Sequence, residues 1–249
     1  MYKIYKNLGE TPLEALERLR FDLGLSAETP MTYAGRLDPL AEGLLIILIG
    51  DECKDATKNK YLGLYKVYES EIVLGLNTDT YDVMGLPRFA FGNTFSNGQI
   101  FLNEDQIVSE LQKHVGKFDQ EYPPYSSKNV GGRPLFDLAR SGELEGVDQK
   151  DWPKKEVEIY NIELLSKNKI SAVSLLEQIN FKIGMVKGDF RHEQILKSWE
   201  QLLAGNNEEF LIIKIRASVS SGVYIRSLAN SLGGVALSIK RVKVGEFSI

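Results

Sequence analysis

The run of residues around Asp38 has the types and spacing best suited to chemistry. Asp38 stands directly before Pro39 and shortly before the apolar run 44–49. Proline favours an extended backbone at the residue before it, and Gly35 and Gly43 let the chain turn on either side. The pattern predicts a rigid carboxylate aimed into a cleft, and a carboxylate can act as a nucleophile without a metal. An isolated Asp-Pro is also a common turn dipeptide, in which Asp38 would cap a one-turn helix.

Cysteine and histidine are too few to support several other chemistries. The 249 residues include one cysteine, Cys53, and two distant histidines, His114 and His192. A disulfide framework is therefore excluded, and a zinc ribbon or a histidine-rich metal site is not expected. Composition alone leaves a carboxylate-only magnesium site open, but we expect no bound metal.

The charge of the chain is unevenly distributed. The net charge is −4, whereas nucleic-acid binders are usually basic. The segment 210–249, however, holds six Lys or Arg and one Glu. Such an asymmetry indicates a polyanionic partner. The alternative is a strand-rich segment with lysines on its solvent face.

The composition is typical of a globular protein of the cytoplasm. Apolar residues make up 43% of the chain and charged residues 26%, both ordinary for a soluble domain. Residues 1–6 lack the apolar core of a signal peptide, and the longest apolar run is far short of the roughly 20 residues that span a bilayer. We expect a cytoplasmic protein with no membrane partner.

The elements that must position Asp38 follow from periodicity and capping signals. Thr11, Pro12 and Glu14 form a capping box at the start of a helix. We predict helices at 11–24, 103–115, 171–181, 194–203 and 224–232, strands at 44–49, 67–74, 157–165, 211–217 and 241–249, and loops at 75–85 and 122–133. Strands and helices are interspersed without a regular βαβ rhythm, which favours an α+β fold with a mixed, mostly antiparallel sheet and flanking helices and loops.

The stretch 35–45, Gly-x-Leu-Asp-Pro-x-Ala-x-Gly-x-Leu, resembles the catalytic motif of pseudouridine synthases of the TruB family. Further matching blocks follow the family's order: Lys-Asn-Leu-Gly-Glu-Thr at 6–11, Lys-Val-Tyr at 66–68, Thr-Asp-Thr-Tyr-Asp at 78–82, Pro-Pro-Tyr-Ser at 123–126, Leu-Ala-Arg-Ser-Gly at 138–142, Tyr-Ile-Arg at 224–226 and the tail 237–247. The resemblance implies the pseudouridine synthase fold over a single catalytic domain, residues 1–249.

The resemblance also implies a cofactor-free reaction. The enzyme would break the C1′–N1 bond of a uridine, rotate the base and rejoin it through C5. Asp38 would be the nucleophile, attacking either C6 of uracil or C1′ of ribose. Arg226 would keep Asp38 ionised, Tyr68 would stack on the uracil and could serve as the base, and Ile239 would back the flipped base.

Three further residues take pocket roles by the same resemblance. The target uridine must be flipped out of its stack to reach the nucleophile. Tyr33 stands where the family has a histidine that fills the vacated space; it can stack on a base but cannot become charged near neutral pH. Lys6 and Asp82 would support the substrate pocket, unless Lys6 is a plain surface lysine and Asp82 a turn residue.

Residues 167–207 resemble an insertion relative to the family and are predicted to form two amphipathic helices. The insertion would be a structural cap or would contact RNA through Lys182, Lys187 and Arg191. Many family members carry a C-terminal PUA domain, which we do not expect here. We expect a monomer.

The resemblance implies modification of uridine 55 in the T-loop of tRNA, with the tRNA T-arm as partner. Two alternatives remain: a ribosomal-RNA pseudouridine synthase, and a non-catalytic RNA-folding protein that uses the same cleft. A uridine methyltransferase is disfavoured, because it needs a reactive cysteine and a glycine-rich cofactor loop. Cys53 follows two acidic residues, which would raise its pKa.

Overall fold

A computed structural model describes residues 1–90, 103–188 and 190–249. Asp189, which falls within the predicted insertion, lies outside the described residues.

Strands dominate the described part of the chain. They are β1 (Tyr2–Lys6), β2 (Met31–Ala34), β3 (Ala41–Ile49), β4 (Lys66–Leu74), β5 (Leu76–Thr78), β6 (Pro87–Phe89), β7 (Gly116–Glu121), β8 (Asn129–Val130), β9 (Arg133–Pro134), β10 (Lys154–Ser171), β11 (Glu209–Val219), β12 (Gly234–Val244) and β13 (Phe247–Ser248). The helices are α1 (Pro12–Asp22), α2 (Asp55–Gly63), α3 (Glu104–Gln112), α4 (Leu135–Arg140), α5 (Ala172–Met185), α6 (His192–Leu203) and α7 (Ile225–Ser231).

One large sheet organises the fold. Its strand order is β1-β3-β12-β4-β11-β10-β7, with β2 added to β3 and β13 to β12. The described pairs are antiparallel except β3 with β12, which run parallel. The expectation of an α+β fold with a mixed, mostly antiparallel sheet is confirmed.

Helices cover both faces of this sheet. Neighbouring residues of a strand point to opposite faces, and on β4 Ile72 belongs to one apolar cluster while Val73 belongs to another. The first cluster includes residues of α3 and α7, and the second includes residues of α5 and α6. The two helices of the predicted insertion therefore form a packed layer of the core. Helix α1 packs against β3 through a third cluster.

Most predicted elements are present, with boundaries that local signals explain. Thr11 caps α1 in a capping box with Glu14, and Ser171 caps α5. The strand predicted at 241–249 was misplaced: β12 begins at Gly234, and a turn separates it from β13. The apolar residues from Val235 to Leu237 are fully buried because β12 lies between β3 and β4, whose contacts come from distant parts of the chain. The predicted loop 75–85 also contains the short strand β5.

Candidate active site

A cleft of about 550 Å³ lies beside the turn that carries Asp38. Five of the seven site residues predicted from sequence line it: Asp38, Tyr68, Asp82, Arg226 and Ile239. They come from the 38–41 turn, β4, the loop after β5, α7 and β12. The cleft thus brings together five predicted residues that are up to 201 positions apart in the chain.

Asp38 is held by a turn whose flanking residues are anchored in two cores. The amide of Ala41 donates to the Asp38 carbonyl at 2.9 Å, so Asp38 begins a β-turn and does not cap a one-turn helix. Leu37 is buried in the cluster on one face of the sheet and Leu40 in the cluster on the other. The Asp38 side chain itself stays 41% exposed. The carboxylate is therefore accessible on a fixed backbone.

Arg226 is the buried cation of the cleft. Its Nε lies 2.8 Å from Asp38 Oδ2 and 3.6 Å from Asp82 Oδ2, and only 5% of its side chain is exposed. Its Nη1 donates to the Thr80 carbonyl at 2.7 Å, and its Nη2 donates to the Tyr125 carbonyl at 3.4 Å. These contacts fix the guanidinium beside the Asp38 carboxylate, so that the two groups form an ion pair at the cleft.

Asp82 is a buried carboxylate on the far side of Arg226. Its Oδ1 accepts from the Thr80 hydroxyl at 2.7 Å and from the Met84 amide at 2.9 Å. Burial raises the pKa of Asp82 to about 6, although the charge of Arg226 opposes the increase. Asp82 is therefore a buried partner of Arg226 and not a surface turn residue.

Lys6 is fully buried behind the Asp38 turn. Its Nζ donates to the carbonyls of Asn7 at 3.1 Å, Pro39 at 3.3 Å, and Ala41. Burial lowers the pKa of Lys6 to about 8. Lys6 does not line the cleft, so the structure places it under the turn and not against a ligand.

Arg241 supports the same loop from the other side, a role that sequence reasoning missed. Its side chain is buried, and it donates to the carbonyls of Leu44 at 2.7 Å, Arg36 at 3.2 Å and Gly35 at 3.3 Å. Gly43 has φ +111°, and a Cβ there would lie 2.3 Å from the Arg241 carbonyl. The sequence could have indicated this role, because Arg241 stands two residues after Ile239 in a strand and alternate residues of a strand point to the same face.

Tyr68 and Ile239 share one face of the sheet. On the antiparallel pair β4–β12, Tyr68 stands opposite Arg241 and Ser70 stands opposite Ile239. Cross-strand partners point to the same side. Both side chains line the cleft, so an aromatic ring and an aliphatic side chain form part of its wall.

Tyr33 is not brought to the cleft. It lies on β2 and packs with the cluster under α1. It lines an adjoining hollow with Leu13 and Leu16, and this hollow shares Gly35, Arg36 and Leu62 with the cleft. Tyr33 and Lys6 are the two predicted site residues that do not line the cleft itself.

The inserted segment reaches the site through α6 and through the connection that precedes it. The Trp199 Nε1 donates to the Val83 carbonyl at 3.0 Å, beside Asp82. Arg191, just before α6, lines the cleft and pairs with Asp79 at 3.0 Å. Of the three cations considered for an RNA contact, Lys182 and Lys187 do not line the cleft.

Most of the basic residues in 210–249 are engaged in contacts within the protein. Lys214 and Arg216 both pair with Glu69 across the sheet, and Arg226 and Arg241 are buried. Four of the six positive charges are thus used within the protein. The charge asymmetry reflects internal ion pairs and carbonyl contacts.

The described residues offer neither a cluster of metal ligands nor a helix that could span a membrane. No group of three or more His, Cys, Asp or Glu among them is placed to hold a metal ion. No helix in the described ranges is long and apolar enough to cross a membrane.

The comparison with known families agrees with this geometry. Residues 25–190 match the model for the TruB family pseudouridylate synthase N-terminal domain. The chain belongs to the TruB family. It is 30% identical over 252 residues to tRNA pseudouridine synthase B of Aquifex aeolicus, covering 99% of this chain and 68% of that protein. It is 27% identical to the enzyme of the same name from Clostridium kluyveri, covering 99% of this chain and 67% of the relative.

The TruB chain spans about two thirds of the length of these relatives. Two solved structures share its fold: a chain of an H/ACA ribonucleoprotein bound to a substrate RNA containing 2′-deoxyuridine, with a TM-score of 0.51, and a chain of an archaeal box H/ACA Nop10–Cbf5 complex, with a TM-score of 0.50. Each is 15% identical in sequence to this chain. The match covers 98% of this chain and 47% of the solved chain. The expected family and enzyme class, an isomerase that makes pseudouridine, are confirmed.

Proposed function

We propose that this protein converts uridine 55 in the T-loop of tRNA to pseudouridine, with Asp38 as the nucleophile. The observation that carries the proposal is the half-exposed Asp38 carboxylate in the cleft, 2.8 Å from the buried Arg226 guanidinium. The relatives from Aquifex aeolicus and Clostridium kluyveri are named tRNA pseudouridine synthase B. Their names support tRNA as the substrate.

The reaction needs a nucleophile that can add to the uridine and leave again. Asp38 is suited to this because a carboxylate is both a nucleophile and a leaving group. The C1′–N1 bond breaks, the uracil rotates, and a C1′–C5 bond forms. The C5 hydrogen leaves as a proton and N1 gains a proton, so the product is an isomer and no cofactor is consumed.

Arg226 and Asp82 prepare Asp38 for this role. The guanidinium forms an ion pair with Asp38, and its positive charge offsets part of the negative charge that a bound RNA brings near the carboxylate. Asp82 and the carbonyls of Thr80 and Tyr125 hold Arg226 in place. Because these groups are buried, they need little rearrangement when substrate binds.

Tyr68 and Ile239 are suited to receive a flipped uracil. Base flipping costs a few kcal/mol, which contacts in the pocket must offset. The Tyr68 ring would stack on the base, as aromatic side chains stack on unpaired bases. Ile239, on the adjacent strand of the same face, would contact the base from its other side.

The decisive test uses a panel of unmodified tRNA transcripts with the wild-type protein and with Asp38→Asn. We expect pseudouridine at position 55 with wild type, mapped by carbodiimide labelling and primer extension, and none with Asp38→Asn. Wild-type activity with an undiminished rate in Asp38→Asn would show that the nucleophile is another group. Absence of pseudouridine with the wild type in a single-turnover assay would support an RNA-folding protein.

The ribosomal-RNA alternative is separated by mapping RNA from a deletion strain. We expect the T-loop pseudouridine to disappear and the ribosomal sites to remain. An unchanged T-loop signal with the loss of a ribosomal site would reverse the substrate assignment.

A further inference from the structure

The mouth of the cleft carries a cluster that the proposed mechanism does not use: Arg140 between Phe136 and Phe190. The Arg140 Cζ lies 5.7 Å from the Phe136 ring centroid and 5.9 Å from the Phe190 ring centroid. Both distances fall within the roughly 6 Å range of cation–π contacts. All three side chains line the cleft.

The cluster joins two separate segments of the chain. Phe136 and Arg140 lie four residues apart on α4, the spacing that brings helical side chains together. Phe190 belongs to the connection between α5 and α6, within the predicted insertion. The next residue, Arg191, anchors this connection through its ion pair with Asp79. The insertion therefore contributes one of the two aromatic rings that contact Arg140, a cation carried by α4.

The nitrogens of Arg140 are left available by this arrangement. Arg140 is exposed, and in the described part of the chain no carboxylate lies within ion-pair distance of it. By contrast, Arg133 pairs with Glu143 at 2.8 Å. A guanidinium that lies over ring faces through its Cζ keeps its N–H groups available, and their planar fork matches the oxygens of a phosphate bidentately.

We propose that Phe136 and Phe190 hold Arg140 in position to bind an RNA backbone phosphate next to the reacting uridine. The proposal rests on the proposed function, because a nucleotide flipped into the cleft leaves its flanking backbone at the cleft mouth. Arg140 is the binding residue. Phe190 is a positioning residue that acts through Arg140.

The first test removes the charge. With a tRNA transcript, Arg140→Gln is expected to weaken binding about tenfold and to raise KM. The slope of log affinity against log salt should become shallower by about one unit, as for the loss of one phosphate contact. Lys197→Gln, which removes one exposed charge from α6 outside the cleft, is the matched control and should leave affinity and slope unchanged.

The second test asks whether Phe190 acts by positioning Arg140 or only by filling space. Phe190→Leu keeps an apolar side chain but loses the ring face, so affinity should fall about threefold, whereas Phe190→Tyr should bind as wild type. In the Arg140→Gln background, Phe190→Leu should have no further effect. An equal loss in both backgrounds would mean that Phe190 does not act through Arg140.

The third test locates the phosphate. A T-arm hairpin RNA is made with a single neutral methylphosphonate at each linkage flanking the target uridine. At one of these linkages, the methylphosphonate should weaken binding of the RNA to the wild type but not to Arg140→Gln. If Arg140→Gln binds as tightly as wild type, or no linkage behaves in this way, the phosphate contact is wrong.

The outcomes distinguish the two proposals. Pseudouridine formation with undiminished affinity in Arg140→Gln would overturn the phosphate contact and leave the proposed function intact. If the Arg140 and Phe190 variants bind as predicted but the wild-type protein forms no pseudouridine, the proposed function is overturned and the phosphate contact stands.

Discussion

Arg226 Nε lies 2.8 Å from the carboxylate of Asp38, although Arg226 is buried and Asp38 is partly exposed. The cation is thus desolvated and fixed, while the carboxylate it faces is open to the cleft. A second carboxylate, Asp82, lies 3.6 Å from the same nitrogen and is also buried. Arg226 therefore makes two ion pairs: it balances the charge of Asp82 within the fold, and it holds the Asp38 carboxylate at the cleft.

Replacing Arg226 should damage both stability and activity. Arg226→Met leaves Asp82 buried without its counter-charge, and breaking such a pair costs about 3–5 kcal/mol. Adding Asp82→Asn removes the uncompensated charge, so the double variant should be more stable than Arg226→Met in urea unfolding. Pseudouridine formation should remain absent in both, because Asp38 lacks its cation. A double variant no more stable than the single one would contradict the charge-balancing role.

The raised pKa of Asp82 predicts a pH dependence of stability. Burial raises this pKa from 3.8 to about 6, so between these values the native state holds a proton that the unfolded chain has released. The stability gained from protonated Asp82 is present below about pH 4 and is lost as the pH rises through about 6. Relative to Asp82→Asn, the wild type should lose unfolding free energy across this window in urea unfolding. A difference that is constant with pH would argue against the raised pKa.

The hydrogen bond from Trp199 to Val83 predicts that the inserted helices influence catalysis. Trp199→Phe keeps most of the buried ring but leaves the Val83 carbonyl without this donor, which should cost about 1–3 kcal/mol. Because Val83 adjoins Asp82, the Arg226 contacts should loosen and kcat should fall more than KM rises. Ile195→Val, in the same apolar cluster, should cost about 0.5–1.5 kcal/mol without changing kcat. An equal effect of both variants on kcat would point to general loosening of the core.

The internal use of positive charge predicts weakly salt-dependent RNA binding. Lys214, Arg216, Arg226 and Arg241 are paired or buried, so only two of the six cations in the segment 210–249 remain for phosphate contacts. We expect two to four contacts and a slope of log affinity against log salt of about −2 to −4, measured by titrating labelled tRNA at several salt concentrations. A slope near −10, as for a strongly basic binder, would contradict this.

Local signals predicted a large part of this fold. The capping box of Thr11 and Glu14 and the cap at Ser171 are interactions within a few residues, and both helices begin where these signals stand. The alternation along β4 likewise depends on neighbours in the sequence. The start of β12 was missed because its apolar run is buried by strands that are distant in the chain, which periodicity does not report.

The candidate site likewise has parts that the sequence predicted and parts that only the tertiary structure decided. The resemblance of the stretch 35–45 to a family motif singled out Asp38, and the Asp-Pro pair with its flanking glycines indicated a rigid turn. Only the tertiary structure decided that Arg226 faces Asp38 across 188 positions of the chain. It also decided that Lys6 and Arg241 hold the turn from behind. Tyr33, by contrast, lies outside the lining of the cleft. The sequence alone determined the turn that carries Asp38, because the conformation of that turn depends largely on adjacent residues. The partners of that turn depend on which strands pair and on which side chains are buried, and these are properties of the whole sheet.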